Sequence, residues 1–271
     1  MLKEKKIGFI GAGNMAEALI KGVVKKGIID PKNIMASDVV TQRLDYMRET
    51  YGIRAMKDNI KLVSESDMVV LAVKPGDVYH VLDEIKGHLS SKKLLISIAA
   101  GIGLTSIERR LKKGSRVIRV MPNTPALILE GASALSKGTF ATDRDLEDVE
   151  ALFNAVGEVA IVKEQMMDAV TGLSGSGPAY VFMIIEALSD AGVKMGLSRE
   201  LAEFLTLQTI IGAAKLVKQS GEHPGRLKDR VASPAGTTIA GIHILEKERL
   251  RGILMDAVEA ATKRSQELGE S

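Results

Sequence analysis

The stretch Gly8-Phe9-Ile10-Gly11-Ala12-Gly13-Asn14-Met15-Ala16 runs from an apolar strand pattern directly into an amphipathic helical one. That sequence of strand, glycine turn and helix constrains the fold more than any other feature of the chain. Gly11 permits the tight turn, Gly13 lets backbone approach a bound group, and Ala16 is small enough for close helix–strand packing. Free N–H groups and the positive end of the helix dipole then face the turn, an arrangement suited to phosphate. The loop therefore predicts a dinucleotide-binding βαβ unit in which Gly11, Ala12, Gly13, Asn14 and Met15 hold a pyrophosphate.

The pattern continues as that unit requires. Apolar runs at Lys6–Ile10, Ile34–Ser37, Met68–Ala72, Leu94–Ile98 and Arg116–Val120, with a weaker one near Ile53–Ala55, alternate with helical stretches at Met15–Lys26, Thr41–Tyr51, Val78–Gly87 and Leu104–Lys112. Met68-Val69-Val70-Leu71-Ala72 is apolar at every position, as expected of a parallel strand covered on both faces. A helix at Arg144–Val156 and a short strand at Val159–Val162 complete this part. Beyond about Lys163 the strand runs stop, and helices are predicted at Pro178–Met195, Ser198–Gln219, Gly236–Glu246 and Leu250–Leu268. Ser198 suits the N-cap of the second, Gly196 the stop before it, and Pro178 the first turn of the first. The predicted fold is α/β: a Rossmann-type doubly wound parallel sheet over residues 1–163, then an all-α domain over 164–271. The helices Pro178–Met195 and Leu201–Ala214 are apolar on more than one face. In so small a domain, a second subunit is the expected cover.

Composition removes several functions. The chain of 271 residues has 37 Lys and Arg against 34 Asp and Glu, with no basic block and 3% aromatics, so nucleic-acid binding is not expected. With no cysteine there is no disulfide, thiolate nucleophile or cysteine metal site. The four histidines, His80, His88, His223 and His243, lack paired ligand spacing, so no metal is expected. Met1 to Lys6 leads into the first strand without a signal-peptide core, and the longest uncharged run, Ala169 to Ile185, is broken by Gly172, Gly175, Gly177 and Pro178. A cytoplasmic protein without a membrane span is expected.

In an open parallel sheet, ligands gather beyond the carboxyl ends of the strands. There the sequence places Ala72-Val73-Lys74-Pro75, Ala99-Ala100-Gly101 and Met121-Pro122-Asn123-Thr124-Pro125. The small residues at Ala99 and Ala100 leave room for a flat nicotinamide. Val73 is placed to pack on the cofactor and Lys74 to reach its phosphates or ribose. After the second strand, Asp38 can accept a bond from a ribose 2′-hydroxyl, favouring NAD(H), whereas Ser37 and Arg43 can hold a 2′-phosphate. The reading leans to NADP(H), with NAD(H) as the alternative.

Two segments in the second part are unlike ordinary helix sequence. Gly172-Leu173-Ser174-Gly175-Ser176-Gly177-Pro178-Ala179-Tyr180 is a small-residue loop feeding an apolar helix. Asp229-Arg230-Val231-Ala232-Ser233-Pro234-Ala235-Gly236-Thr237-Thr238 gathers three hydroxyls round a glycine at a helix start, which offers N–H groups to a carboxylate.

Taken with Phe9–Ala16 and Ala72–Pro75, these segments resemble the pyrroline-5-carboxylate reductase family over essentially the whole chain. Departures are Ala235, where many members carry glycine, and Arg230, where some carry asparagine. The resemblance implies hydride delivery from NAD(P)H to the C=N carbon of 1-pyrroline-5-carboxylate, giving L-proline. It implies dimers through the C-terminal helices, with further assembly to decamers. It adds Asn59 to the cofactor residues Ser37, Ala72, Val73, Lys74, Pro75, Ala99 and Ala100. On the substrate side it assigns Glu164, Ser176, Val231, Ser233, Gly236, Thr237 and Thr238, with Thr238 catalytic at the ring nitrogen, and Glu222 as a further acidic candidate.

Two rivals remain at this level. A β-hydroxy acid dehydrogenase needs a base for its alcohol, usually a helical lysine. Lys194 and Lys215 lack the matching glycine-rich context, and an imine needs no such base. A non-catalytic redox sensor would retain Gly11 and Gly13 without needing the Ser233–Thr238 cluster.

Overall fold

The computed structural model describes residues 2–270; Met1 and Ser271 lie outside them. By internal contacts the chain divides into two compact units, residues 1–176 with 260–271, and residues 177–259.

The first unit is built on one eight-stranded sheet, of order β3-β2-β1-β4-β5-β6-β7-β8. Its strands are β1 (Ile7–Ile10), β2 (Ile34–Ser37), β3 (Arg54–Met56), β4 (Met68–Leu71), β5 (Leu94–Ser97), β6 (Arg116–Met121), β7 (Gly131–Lys137) and β8 (Gly157–Ile161). Side-chain alternation divides the central strands between two cores. Ile7, Phe9, Met68, Val70, Leu94, Ile96, Ile118 and Val120 enter one, while Ile10, Val69, Leu71, Leu95 and Val117 enter the other. This two-sided burial is why the strand sequences are apolar throughout rather than alternating. Each large aliphatic side chain so buried contributes roughly 1.5–3 kcal/mol.

The helices covering the sheet are α1 (Asn14–Lys25), α2 (Thr41–Tyr51), α3 (Asn59–Glu65), α4 (Val78–Ile85), α5 (Leu104–Arg110) and α6 (Asp143–Phe153). Helix α6 begins with a full capping box. Thr142 Oγ1 accepts the Asp145 N–H, and the Asp145 carboxylate accepts the Thr142 N–H. The structure adds elements that the sequence did not predict: α3 and β7 here, and the short helices at Met167–Val170 and Pro224–Val231 further on. Helix α3 is only two turns long, buries Leu62 and Val63, and is capped by Asp58, whose carboxylate accepts the Lys61 N–H at 2.9 Å. Strand β7, Gly-Ala-Ser-Ala-Leu-Ser-Lys, contains no β-branched residue. It pairs antiparallel with β6 and parallel with β8, so cross-strand pairing rather than propensity makes it a strand. A short helix, α7 (Met167–Val170), passes into a wide turn of π type at Thr171–Gly175.

The second unit holds α8 (Gly177–Lys194), α9 (Arg199–Ser220), α10 (Pro224–Val231), α11 (Thr237–Lys247) and the first half of α12 (Leu250–Glu270). Ser198 caps α9 by accepting the Leu201 N–H at 3.3 Å. A methyl group on Gly192 would stand 2.9 Å from Cβ of Ala202, so α8 and α9 cross with backbones nearly in contact. Among the described residues of this unit, only Ser189, Ala202 and Thr206 are fully buried. Phe182, Met183, Phe204 and Leu216 are more than half exposed. The unit thus carries extensive apolar surface without a core of its own, the state anticipated from helices apolar on several faces.

Candidate functional site

The chain leaves β1 toward β2 and β3 and returns on the other side at β4, so strand order reverses between β1 and β4. A crevice opens at such a point beyond the carboxyl ends of the strands. Gly11 sits there at φ +95°, and its N–H donates to Ser37 O at 2.8 Å. A Cβ on Gly11 would lie 2.6 Å from the carbonyl oxygen of Ala72, so the β1 turn and the start of Ala72–Pro75 touch through glycine alone. A Cβ on Gly13, by contrast, would meet nothing within 4 Å. Gly13 is the N-cap of α1 and makes no side-chain cap, which leaves the first-turn N–H groups at Asn14 and Met15 facing open space. Ala16 is fully buried behind them. An open glycine shelf over an uncapped helix start is what a dinucleotide pyrophosphate fits, and the residues present match it.

At the end of β2, every polar side chain is engaged. Ser37 is buried and its hydroxyl donates to Asn59 Oδ1 at 2.7 Å, while Asn59 Nδ2 donates to Glu84 at 2.8 Å. Asp38 accepts the Ala12 N–H at 2.8 Å and the Val40 N–H at 2.9 Å. Arg43 donates from Nε to the Ala12 carbonyl and pairs through Nη2 with Glu17. Burial works against the Glu17 carboxylate, but hydrogen bonds from Arg43, Tyr51 and Tyr46 outweigh it and hold its pKa below the usual value. Burial, with the Glu17 carboxylate and the neighbouring Tyr46, pushes the Tyr51 hydroxyl well above its usual range.

The remaining loops of the first unit lie at the same edge of the sheet. Val73 is half-buried and Lys74 exposed ahead of Pro75; Ala99 is buried and Ala100 half-buried. Asn123 ties two motifs together, donating to Ser174 Oγ at 3.2 Å and accepting the Ala132 N–H at 2.9 Å. Gly175 lies so close to Met121 that a Cβ would come within 2.5 Å of its terminal methyl. Ser176, at the end of the π turn, donates its N–H to Thr171 O at 2.9 Å. Glu164 stands behind the Ala99–Gly101 loop. Its Oε1 accepts from Arg119 Nη1 at 2.8 Å and from the Leu104 N–H at 2.9 Å, capping α5 from outside the helix. Arg119 Nη2 and Glu164 Oε2 are buried without hydrogen-bond partners.

In the second unit, Ser233, Pro234 and Ala235 form the turn before α11. Gly236 is the N-cap of α11 with no side-chain cap, so the first N–H groups, at Thr237 and Thr238, have neither an intrahelical nor a capping partner. The simple alternative, one hydroxyl capping the helix, is not what the turn adopts. A Cβ at position 236 would stand 2.2 Å from Ser233 Oγ, so any other residue there would turn the Ser233 side chain away from the helix start. Ala235 holds φ +56°, the left-handed conformation in which glycine is free of strain. Thr238 is half-buried, and Val231, the last residue of α10, is exposed. Glu222 is paired with Arg226 and Arg230.

The cofactor residues read from sequence therefore gather along one edge of the sheet, and Ser233, Gly236, Thr237 and Thr238 share one helix start. Sequence reasoning did not single out Arg119. Its only signal was a charged residue inside the otherwise apolar run Val117-Ile118-Arg119-Val120.

Comparison with known proteins gives consistent results. Residues 164–268 match the family model described as pyrroline-5-carboxylate reductase dimerisation, and residues 6–101 match one described as NADP oxidoreductase coenzyme F420-dependent. The chain is 50% identical over 269 residues to a pyrroline-5-carboxylate reductase of Methanosarcina acetivorans, covering 99% of this chain and 100% of that one. It is 50% identical to the Arabidopsis thaliana enzyme of the same name, covering 98% and 96%. Among solved structures, Plasmodium falciparum pyrroline carboxylate reductase with NADP bound superposes with a TM-score of 0.91 at 38% identity, covering 99% of this chain and 100% of that one.

Proposed function

The chain belongs to the pyrroline-5-carboxylate reductase family, and on that premise we propose how its residues divide the work of the reaction. The protein is an NAD(P)H-dependent oxidoreductase that reduces the C=N bond of 1-pyrroline-5-carboxylate to L-proline, the last step of proline biosynthesis. NADP(H), when bound, supplies the hydride. We take residues 1–163 as the dinucleotide-binding domain and 164–271 as the helical substrate and dimerisation domain.

The uncapped N–H groups at Asn14 and Met15 hold the pyrophosphate, with Ala12 lining the turn and Gly11 and Gly13 keeping the approach clear. Ser37 and Asn59 border the ribose, Val73, Lys74 and Pro75 flank the dinucleotide, and Ala99 and Ala100 give the nicotinamide a flat floor. The substrate's carboxylate is received by the helix start at Gly236, Thr237 and Thr238 with Ser233 beside it, and Val231 and Ser176 border the ring. Glu164 keeps its unpartnered Oε2 for the substrate side while Oε1 fixes the α5 turn. The Thr238 hydroxyl orients the ring nitrogen and relays a proton to it from water. Because the imine already has an electrophilic carbon, orientation is the main requirement, and it removes entropy from the barrier.

The observation that carries the substrate assignment is the uncapped start of α11 with Ser233 Oγ close beside Gly236. The test follows NADPH and NADH oxidation with pyrroline-5-carboxylate and measures proline formed. Oxidation of neither overturns the reading. We further propose that the functional unit is a dimer through the C-terminal helices, able to assemble into decamers, and that it works in the cytoplasm, as the cysteine-free sequence supports.

A further inference from the structure

The Ala99–Gly101 loop is held on either side by long-range hydrogen bonds. On entry the Ile98 N–H donates to Leu71 O at 3.2 Å, and on exit the Leu104 N–H donates to Glu164 Oε1 at 2.9 Å. Between these anchors Gly101 turns at φ +76° and lies against the last turn of α12. A Cβ on Gly101 would stand 3.1 Å from Cβ of Leu268, and a Cβ on Gly269 would stand 2.7 Å from the Gly101 carbonyl oxygen. Glycine on each side thus lets the two backbones meet. Ser265, Leu268 and Gly269 share one helix face, at i, i+3 and i+4. Among the described residues of α12, Ser265 is the one fully buried, and it is polar. A buried hydroxyl needs a partner, and this one donates to Asp168 Oδ1 at 2.7 Å. Asp168 belongs to α7, which runs into the π turn whose Ser174 is tied to Asn123. One helix turn therefore grips the loop read as the nicotinamide floor and, through a second residue, the element that leads to Ser174 and Ser176.

We propose that Ser265 and Gly269 are positioning residues for hydride transfer: the last turn of α12 locks the Ala99–Gly101 loop to α7 and so fixes the nicotinamide floor relative to the Thr171–Ser176 turn. Both act through the loop and α7 rather than on the reacting atoms. Gly269 contributes by lacking a side chain, which lets the helix seat on the Gly101 carbonyl. Ser265 contributes the hydrogen bond that ties the same turn to Asp168. Hydride transfer is sensitive to this spacing, because reacting atoms must meet at about 3–3.5 Å and a misplacement of about 1 Å can cost on the order of a hundredfold in rate. The inference rests on the reading of Ala99 and Ala100 as the nicotinamide floor.

The test compares wild type, Gly269→Ala and Ser265→Ala. Each is melted, titrated with 2′-phospho-ADP-ribose (NADP without its nicotinamide), and assayed with NADPH and with NADPH deuterated at the transferred position. Both variants are expected to melt like wild type and to bind 2′-phospho-ADP-ribose within about twofold of it. Their kcat should fall by about fivefold or more, and the isotope effect on kcat should rise as hydride transfer slows relative to other steps. If Gly269→Ala fails to fold, Ser265→Ala carries the measurement. A kcat within twofold of wild type in the folded variants overturns the proposal. So does a fallen kcat with an unchanged isotope effect, or one matched by lower melting temperature and weaker 2′-phospho-ADP-ribose binding, which would mark the contact as structural support alone. Ala100→Leu, in the loop itself, tests the underlying reading separately. If it leaves NADPH binding and kcat unchanged, the nicotinamide floor lies elsewhere.

Discussion

Arg119, buried within β6, donates from Nη1 to Glu164 Oε1 at 2.8 Å, and that oxygen also accepts the Leu104 N–H at 2.9 Å. A charged residue in the sheet interior is thereby joined to the helix that follows the Ala99–Gly101 loop. Breaking a buried pair costs about 3–5 kcal/mol, mainly because one charge is left stranded. Glu164 is a third exposed, so solvent screening reduces that figure. Glu164→Gln is expected to lower unfolding stability by roughly 2 kcal/mol, read from the urea midpoint. An unchanged midpoint would show that the pair stabilises nothing.

The two loop glycines should fail in different ways. Gly11→Ala forces a Cβ to within 2.6 Å of the Ala72 carbonyl at a positive φ, so it should destabilise the fold by about 2 kcal/mol or more. Gly13→Ala meets no protein atom and should melt like wild type, yet bind NADPH at least about tenfold more weakly, because its methyl occupies the pyrophosphate's approach. Thermal melting and titration on the same samples separate the two effects.

Thr238→Ala should lose most turnover, on the order of tenfold or more, while NADPH affinity stays within twofold of wild type. Steady-state kinetics beside a binding titration decide this. Full turnover in the variant removes Thr238 from the mechanism.

Asp145 is buried at the start of α6. Burial raises its pKa, but bonds from Thr142 and the Arg116 guanidinium outweigh that and hold it below the usual 3.8. The sign follows from linkage: a carboxylate with a lowered folded pKa contributes stability that is present above its ordinary value and lost as pH falls through the folded one. Asp145→Asn should therefore cost about 1–3 kcal/mol near neutral pH. The gap to wild type should narrow below about pH 4, as chemical denaturation at several pH values would show.

The apolar exposure of Phe182, Met183 and Phe204 predicts self-association. Sedimentation should give at least twice the 29.1 kDa chain mass at micromolar concentration. Charged substitutions at Phe182 and Phe204 together should lower that mass. A monomeric wild type would contradict the dimer.

The sequence by itself determined the sheet, the glycine turn and the helical second half, because these depend on local signals. Apolar runs mark strands covered on both faces, Gly11 and Gly13 are required by backbone geometry at their own positions, and Ser198 caps the helix beside it. The hydroxyls gathered round Gly236 likewise mark Ser233 to Thr238 as a helix start by local pattern alone. Only the tertiary structure decided what depends on partners distant in the chain. Strand β7 exists through pairing with β6 and β8, against its own composition. Arg119 passed as one residue of a predicted strand, and only the fold brings up Glu164, 45 positions onward, as its counter-charge. Ser37, Asp38 and Arg43 left the 2′ position undecided in sequence, since their meaning depends on which atoms they already hold. Long-range hydrogen bonds commit a side chain's donors and acceptors, and no local pattern records that commitment.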